Sequence, residues 1–473
     1  MERRTKIVAT LGPATRDPVK LEPLICAGVD VVRLNFAHET PENHTRTAAA
    51  ARRIAAANHR SVGLLVDLPG PKMRTGPIEG DEVELDAGRP FVLTGRPVQG
   101  DDQRVSASVG DLAAMVAEGD EIYLADGEIV LRVVSIDGTD VHTETLSHGI
   151  LRSRKGMHIP SAERHVRAFT DADRAAAAVA LKIKANFIGL SFIRDADDLR
   201  RARETFPKRG HRPHLVAKIE TRSALDNLSD IVDEADAVMV ARGDLGIQTP
   251  LRRVPLLQKQ IIQLCNSRGI PVITATQMLE SMTHSPLPTR AEVTDIANAV
   301  LDGTDALMLS EETAVGDYPV ATVETMAEIA QASEEEAREH ARPEAPDMHD
   351  DRVSWAVAHA GVAAAEDLRV KAILCPTRTG STARRVAAFR PSMPIVGLSS
   401  REQTLGTMAM NWGVLPLATA DLPEARDMRE ETDRAVAAAR AAGLLDSDGL
   451  VAVVAGSPGP RAGRTDFMRV VRC

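Results

Sequence analysis

The chain has 473 residues, 44% hydrophobic but only 3% aromatic, with a formal net charge of −10 and a pI near 5.8. That hydrophobic share excludes a disordered chain, and the acidic balance excludes nucleic acid as the main partner. Four scattered cysteines (Cys26, Cys265, Cys375, Cys473) without a CxxC pair exclude a disulfide or zinc framework and fit a reducing cytoplasm. No apolar run reaches the ~18 residues of a membrane span, and the segment after Met1 is broken too soon, at Gly12-Pro13, for a signal peptide.

Length predicts about three domains. Over the first 330 residues, short β-branched runs alternate with helical patterns. Strands are predicted at Ile7–Thr10, Val29–Leu34, Val62–Asp67, Phe187–Phe192, Leu215–Ile219, Ala237–Val240, Pro271–Ala275 and Ala306–Leu309. Helices are predicted between them, for example Asp171–Lys182, Ala196–Thr205 and Val320–Ala337. Eight such repeats predict an α/β fold, a (β/α)8 TIM barrel over residues 1–68 and 161–340. Residues 69–160 interrupt it, with Asp126-Gly127 and Asp137-Gly138 between alternating runs. Asp-Gly in that setting is a hairpin signal, so the interruption reads as an inserted all-β lid domain, a β-barrel over the barrel mouth. The charged stretch Ser333–Arg352 reads as a solvated helix end and linker. Strands then resume at Ala372–Cys375, Ile395–Leu398, Val414–Leu417, Leu450–Val454 and Met468–Val471, with helices at Ser381–Phe389 and Glu424–Ala442. This predicts a C-terminal open α/β domain over residues 350–473.

In such a barrel, chemistry sits at the C-terminal strand ends. The second predicted strand ends in Arg33-Leu34-Asn35, the fifth in Lys218-Ile219-Glu220 and the sixth in Arg242-Gly243-Asp244. The seventh carries Thr274-Ala275-Thr276, the eighth Ser310-Glu311-Glu312, and the third adds Asp67. Strand side chains alternate faces, so residues two apart point the same way, into the mouth. A strand end fraying into polar loop accounts for any one pair. Five such pairs in one barrel point to a site. Glu220 and Asp244 are hard oxygen ligands suited to Mg2+ or Mn2+, and Arg33, Arg74 and Lys218 are placed to neutralise phosphate. No nucleophile elbow, zinc spacing or P-loop is present, which favours phosphoryl transfer by positioning and electrostatics. Gly243-Asp244-Leu245-Gly246 reads either as a tight turn or as an anion-binding helix start.

The same segments closely resemble pyruvate kinase. They are Val32-Arg33-Leu34-Asn35-Phe36, Lys218-Ile219-Glu220, the run Met239 to Gly246, Thr276-Gln277-Met278-Leu279-Glu280-Ser281-Met282, Pro288-Thr289-Arg290-Ala291-Glu292 and Met308 to Ala314. The likeness runs from Lys6 to the last strand in the same order. It implies a cytoplasmic enzyme that moves the phosphoryl group of phosphoenolpyruvate to ADP, giving pyruvate and ATP, with Mg2+ or Mn2+. Lys218 would stabilise the phosphoryl in flight, and Glu220 and Asp244 would hold the metal. Gly243, Asp244 and Thr276 would hold the substrate carboxylate, and Arg33 its phosphate. Thr276, Ser310 and Glu312 would relay a proton to the enolate. Arg74, Asn35, His38 and Lys155 match nucleotide contacts, although His38 also reads as an ordinary loop histidine. The family is usually a homotetramer.

Two further expectations follow from the resemblance. The loop Thr377-Arg378-Thr379-Gly380-Ser381-Thr382 matches the family's effector site, with Gly456-Ser457-Pro458-Gly459 as a second wall. It would take a sugar phosphate or a nucleotide, or else it is only a capped helix start. The positions of the monovalent cation are Asn35, Ala37, Asp67 and Leu68, where Ala37 replaces a usual Ser. Lys72 stands where K+-dependent relatives carry Glu. An ammonium near Asp67 would replace the ion, so K+ is expected not to be required; otherwise Lys72 points to solvent. Glu311, Pro69 and the loop Glu39-Thr40-Pro41 also depart from the common pattern. Two rival readings differ in what they require. Another metal-dependent oxo-acid barrel would not need Arg74, Lys155 and a lid, and a non-catalytic sensor would not need Lys218, Glu220, Asp244 and Thr276 together.

Overall fold

The structure, a computed structural model, describes residues 3–109, 111–165, 167–207, 210–337, 351–420, 425–445, 448–457 and 464–473. Eight parallel strands close into a barrel: β1 (Lys6–Thr10), β2 (Val31–Asn35), β3 (Gly63–Asp67), β4 (Phe187–Leu190), β5 (His214–Ile219), β6 (Ala237–Ala241), β7 (Val272–Ala275) and β8 (Ala306–Leu309). Each strand pairs with its neighbours in chain order, and β1 pairs with β8 through Lys6↔Ala306 to Ala9↔Leu309. Runs rich in Val, Ile and Leu suit this architecture because parallel strands are buried on both faces. Val8, Leu65, Phe187, Val216, Met239 and Ile273 fill the interior, and Ala409 and Met410 join the same cluster from the C-terminal part of the chain. A second, larger core packs the outward strand faces against the helices.

The predicted fourth strand runs to Phe192, but β4 stops at Leu190. Phe192 turns into the left-handed region (φ 54°) and gives its N–H to Glu220 Oε2 at 2.6 Å. The ladder is exchanged there for a contact with the site.

Between β3 and β4 lies the all-β insert. Its seven-stranded sheet runs in the order Met73–Arg74, Gly156–His158, Glu121–Leu124, Ile129–Asp137, Asp140–Thr145, Pro90–Thr94, Arg104–Ser106. Both Asp-Gly signals sit at hairpin turns, with Gly127 and Gly138 at φ 91° and 59°. The sheet curls until the segments beyond its edges meet at two isolated bridges, Thr75↔Ala107 and Ile78↔Gly100. Among the described residues, the barrel expected of it is closed by these bridges rather than by a continuous ladder. A second sheet pairs Gly149–Arg152 with Glu82–Leu85.

The C-terminal sheet holds β9 (Ile373–Pro376), β10 (Ile395–Ser399), β11 (Val414–Ala418), β12 (Leu450–Ala455) and β13 (Phe467–Arg472), in the order 11-10-9-12-13. Only β13 is antiparallel to its neighbour. The helix predicted at Glu424–Ala442 spans Met428–Ala441, capped by the Asp427 side chain; Glu424 lies outside the described residues. Helix Pro319–Ala337 covers the start of the predicted charged stretch, whose positions 338–350 lie outside the described residues. Among the described residues, no helix is long and apolar enough to cross a membrane.

Candidate active site

The C-terminal ends of β2, β3 and β5 bring four charges together below the barrel mouth. Asp67, 2% exposed, takes Arg33 Nε at 2.8 Å and Arg33 Nη2 at 2.7 Å on one oxygen. Lys218 Nζ lies 3.2 Å from its other oxygen and 2.8 Å from Glu220 Oε1. The ammonium also donates to Ser191 Oγ at 2.7 Å, and Arg33 Nη1 donates to Thr10 Oγ1 at 2.9 Å. Burial alone would lower the pKa of Lys218, but Asp67 and Glu220 reverse it and leave the ammonium above its ordinary range. Burial would raise the carboxyl of Asp67, and Lys218 and Arg33 together bring it below its ordinary value. Glu220 goes the other way: burial pushes it up to about 7, against the pull of Lys218 and with a push from Asp244. Two buried carboxylate oxygens, Asp67 Oδ1 and Glu220 Oε1, accept no well-directed hydrogen bond although Lys218 is close to both.

The other half of the site comes from β6 to β8. Asp244 lies in the first turn of helix Arg242–Gln248, half-buried. Gly243 N donates to Thr276 Oγ1 at 3.0 Å, and that hydroxyl donates to Ala275 O at 2.7 Å. Thr276 and Gln277 both take positive φ, 69° and 55°. Such backbone costs non-glycine residues ~1–3 kcal/mol each and clusters at functional sites. Glu312, 2% exposed, accepts the N–H groups of Ser310 at 2.6 Å and Leu279 at 3.2 Å. Burial raises its pKa in spite of these bonds.

The arrangement of buried cations and carboxylates at strand ends agrees with what the whole chain resembles. Residues 2–323 match the family model described as "Pyruvate kinase, barrel domain", and residues 355–471 match "Pyruvate kinase, alpha/beta domain". A pyruvate kinase of Thermococcus litoralis is 39% identical over 472 residues, 99% of this chain and 98% of the relative. One from Thermotoga maritima is 38% identical over 470 residues, 99% of both chains. One from Geobacillus stearothermophilus is 40% identical over 479 residues, 99% of this chain and 80% of the relative. The chain belongs to the pyruvate kinase family. It is an enzyme of the phosphotransferase class.

The remaining positions that the pyruvate kinase resemblance marks are spread wider. A cleft between the insert and the barrel is lined by Lys72, Met73, Tyr123, His158, Phe192 and Asp244, among others. His158 Nε2 lies 2.6 Å from Gln248 Nε2, so the insert touches the helix that carries Asp244. Asn35 Oδ1 accepts the N–H of Ala37 at 3.1 Å. His38 is at the exposed edge of the same loop. Partial burial, with the charges of Arg74, Lys72 and Arg33, holds its ring below the ordinary histidine range. Arg74 is half-buried and donates from Nη1 to Arg154 O at 3.1 Å. Lys155 is exposed next to Gly156, which pairs with Arg74.

Two expectations are narrowed. Lys72 is exposed, and Asp67 has Arg33 and Lys218 as its ion partners, so the charge expected from Lys72 is supplied to Asp67 by the other two. Thr382 is 2% exposed, with its hydroxyl 2.9 Å from Thr465 Oγ1. Thr377 to Ser381 do form a polar loop: Gly380 N donates to Thr377 Oγ1 at 3.0 Å, and the hydroxyls of Thr379 and Ser381 are 3.0 Å apart. Gly456 and Ser457 are described, whereas Pro458 and Gly459 lie outside the described residues. Ser191 and Thr10 are site neighbours that sequence reasoning missed. A serine inside an otherwise apolar predicted strand was the available signal for Ser191.

Proposed function

We propose that this chain transfers the phosphoryl group of phosphoenolpyruvate to ADP, giving pyruvate and ATP. The buried cluster Arg33–Asp67–Lys218–Glu220 carries the reading, because it holds two cations rigidly at the mouth where a phosphoryl group would lie. Glu220 and Asp244 would hold a divalent ion, Mg2+ or Mn2+. An oxygen of Glu220 without a well-directed hydrogen bond, in a carboxyl destabilised by burial and by Asp244, suits a cation ligand. When bound, the ion supplies positive charge to substrate oxygens.

Residues of the chain would do the rest. Lys218 and Arg33 take up charge on the phosphoryl group as the enol oxygen–phosphorus bond breaks and a bond from ADP forms. Both are already in place, so no reorganisation is needed during reaction. Gly243, Asp244 and Thr276 orient the substrate carboxylate. Thr276, with Ser310 and Glu312, delivers a proton to the enolate carbon. Asn35, His38, Arg74 and Lys155 contact the nucleotide phosphates. Residues 69–160 act as a lid on the barrel of 1–68 and 161–340, and 350–473 form a regulatory domain. A sugar phosphate or nucleotide would bind at Thr377–Ser381, and the enzyme would work as a cytoplasmic homotetramer without a need for K+.

An initial-rate assay tests the central reading. Pyruvate should form from phosphoenolpyruvate with Mg2+ only when ADP is present. Pyruvate release at full rate without ADP would assign the site to a lyase or phosphatase instead.

A further inference from the structure

We propose that Arg242 is a positioning residue that holds the Thr276 hydroxyl in place by clamping the main chain of its loop. The inference rests on the reading of Thr276 as a substrate contact given above. Arg242 follows β6 directly, and its guanidinium reaches sideways to the end of β7. Nε donates to Ala275 O at 3.1 Å, and Nη2 donates to Thr276 O and to Met278 Sδ, the latter at 2.8 Å. Nη1 donates to Asp295 Oδ2 at 2.6 Å and to Gln258 Oε1 at 3.3 Å. All three nitrogens are therefore engaged, and two of the acceptors are consecutive carbonyls of the segment leaving β7.

That segment is the one that needs holding. Thr276 and Gln277 are successive non-glycine residues at positive φ, and a β-branched threonine is a poor occupant of that region. The Thr276 hydroxyl donates to Ala275 O, the same carbonyl that Arg242 Nε holds. The next residue, Gly243, gives its N–H to that hydroxyl at 3.0 Å. Two adjacent residues of one strand end thus fix both the backbone and the side chain of Thr276.

The clamp is itself anchored. Asp295 belongs to helix Arg290–Leu301, whose capping box joins Thr289 and Glu292. Glu292 also accepts Ser281 N at 2.8 Å and Ser281 Oγ at 2.6 Å. One helix therefore secures both the start and the end of the segment 276–281. A lysine at 242 would keep the charge but lose the planar fork that reaches several acceptors at once.

A double-mutant cycle on the full chain tests this, with kcat, KM for phosphoenolpyruvate, and exchange of pyruvate methyl protons with D2O as readouts. Arg242→Lys should fold as the wild type does and lower kcat on the order of 10²-fold, the cost of misplacing a reacting group by about 1 Å. Asp295→Asn, which only loosens the clamp, should give a smaller loss in the same direction. Thr276→Val should be at least as impaired as Arg242→Lys, in proton exchange as well as turnover. Arg242→Lys combined with Thr276→Val should be no worse than Thr276→Val alone, within about threefold. Losses that multiply in the double variant, or Arg242→Lys within about threefold of wild type, would overturn the inference while leaving Thr276 its role. Wild-type turnover and exchange in Thr276→Val would overturn the role of Thr276, and the inference with it.

Discussion

Leu68 presents its carbonyl to the Ser191 hydroxyl at 2.8 Å, and its neighbour Asp67 is bonded to Arg33 and faced by Lys218. Two of the groups that would surround a monovalent cation are already in use, and Ala37 has no hydroxyl to offer. Lys72 adds positive charge at the cleft rather than at Asp67. The Asp67 carboxylate that such an ion would need is already neutralised by Arg33 and Lys218. Initial rates in tetramethylammonium buffer at fixed ionic strength should change by less than about twofold on adding KCl. Activation of tenfold or more would refute K+ independence. At this scale the sequence was readable where side chains point into the mouth from alternate strand positions, as for Arg33, Lys218 and Glu220. It was silent on Arg242 as a clamp, because bonds from a side chain to main-chain carbonyls leave no residue pattern. It left Lys72 open between Asp67 and solvent, because closeness in a family pattern does not decide which way a long, exposed side chain points.

At the scale of elements, all eight barrel strands were legible, since β-branched runs bounded by polar residues have few other uses. Helix Asp171–Lys182 forms over the predicted residues, and the structure adds a Thr170–Asp173 capping box at its start. Less legible was how elements meet below the barrel. His214 opens β5 with its ring edge-on to Phe187 at 5.9 Å. Burial lowers its pKa, opposed by Asp236 and assisted by Arg384, Arg203 and Arg212. The unfolded chain protonates this ring below about pH 6.5, whereas the folded protein resists it. His214 therefore withdraws stability as pH falls below that value. Between pH 7.5 and 5.5, the wild type should lose up to about 1 kcal/mol more than His214→Gln in urea unfolding. Equal losses would show that His214 is not a source of acid sensitivity. The helix Ser381–Ala388, which supplies Arg384, starts at the polar loop of Thr377 to Gly380. On the proposed effector reading, a sugar phosphate or nucleotide should activate the wild type, and Thr379→Ala with Ser381→Ala should abolish that activation and spare basal activity. Activation that survives in this variant would move the effector site elsewhere.

On the scale of the molecule, the barrel is tied to both of its neighbours. The Arg4 guanidinium bonds the carbonyls of Pro391, Ser392 and Met393, while Glu334 accepts the N–H groups of Arg4 and Thr5. Arg4 and Arg390 both lie over the Trp412 ring, at 5.3 and 4.8 Å from its centre. Arg390 also pairs with Asp305 at the foot of β8, at 3.0 Å. At the opposite end, the His158–Gln248 contact joins the insert to the helix that bears Asp244. These contacts join residues far apart in sequence and carry no periodic signal, so only the order of the parts was readable beforehand.

In the proposed reaction, Lys218 acts on a phosphoryl group that moves between phosphoenolpyruvate and ADP. The most direct test counts ATP and pyruvate together as they form, for the wild type and for Lys218→Met. The wild type should make the two products in equal amounts. The variant should lose on the order of 10³-fold or more in kcat, with a smaller change in KM, because the interaction removed belongs mainly to the transition state. Pyruvate without matching ATP, or a near-normal kcat in Lys218→Met, would contradict it.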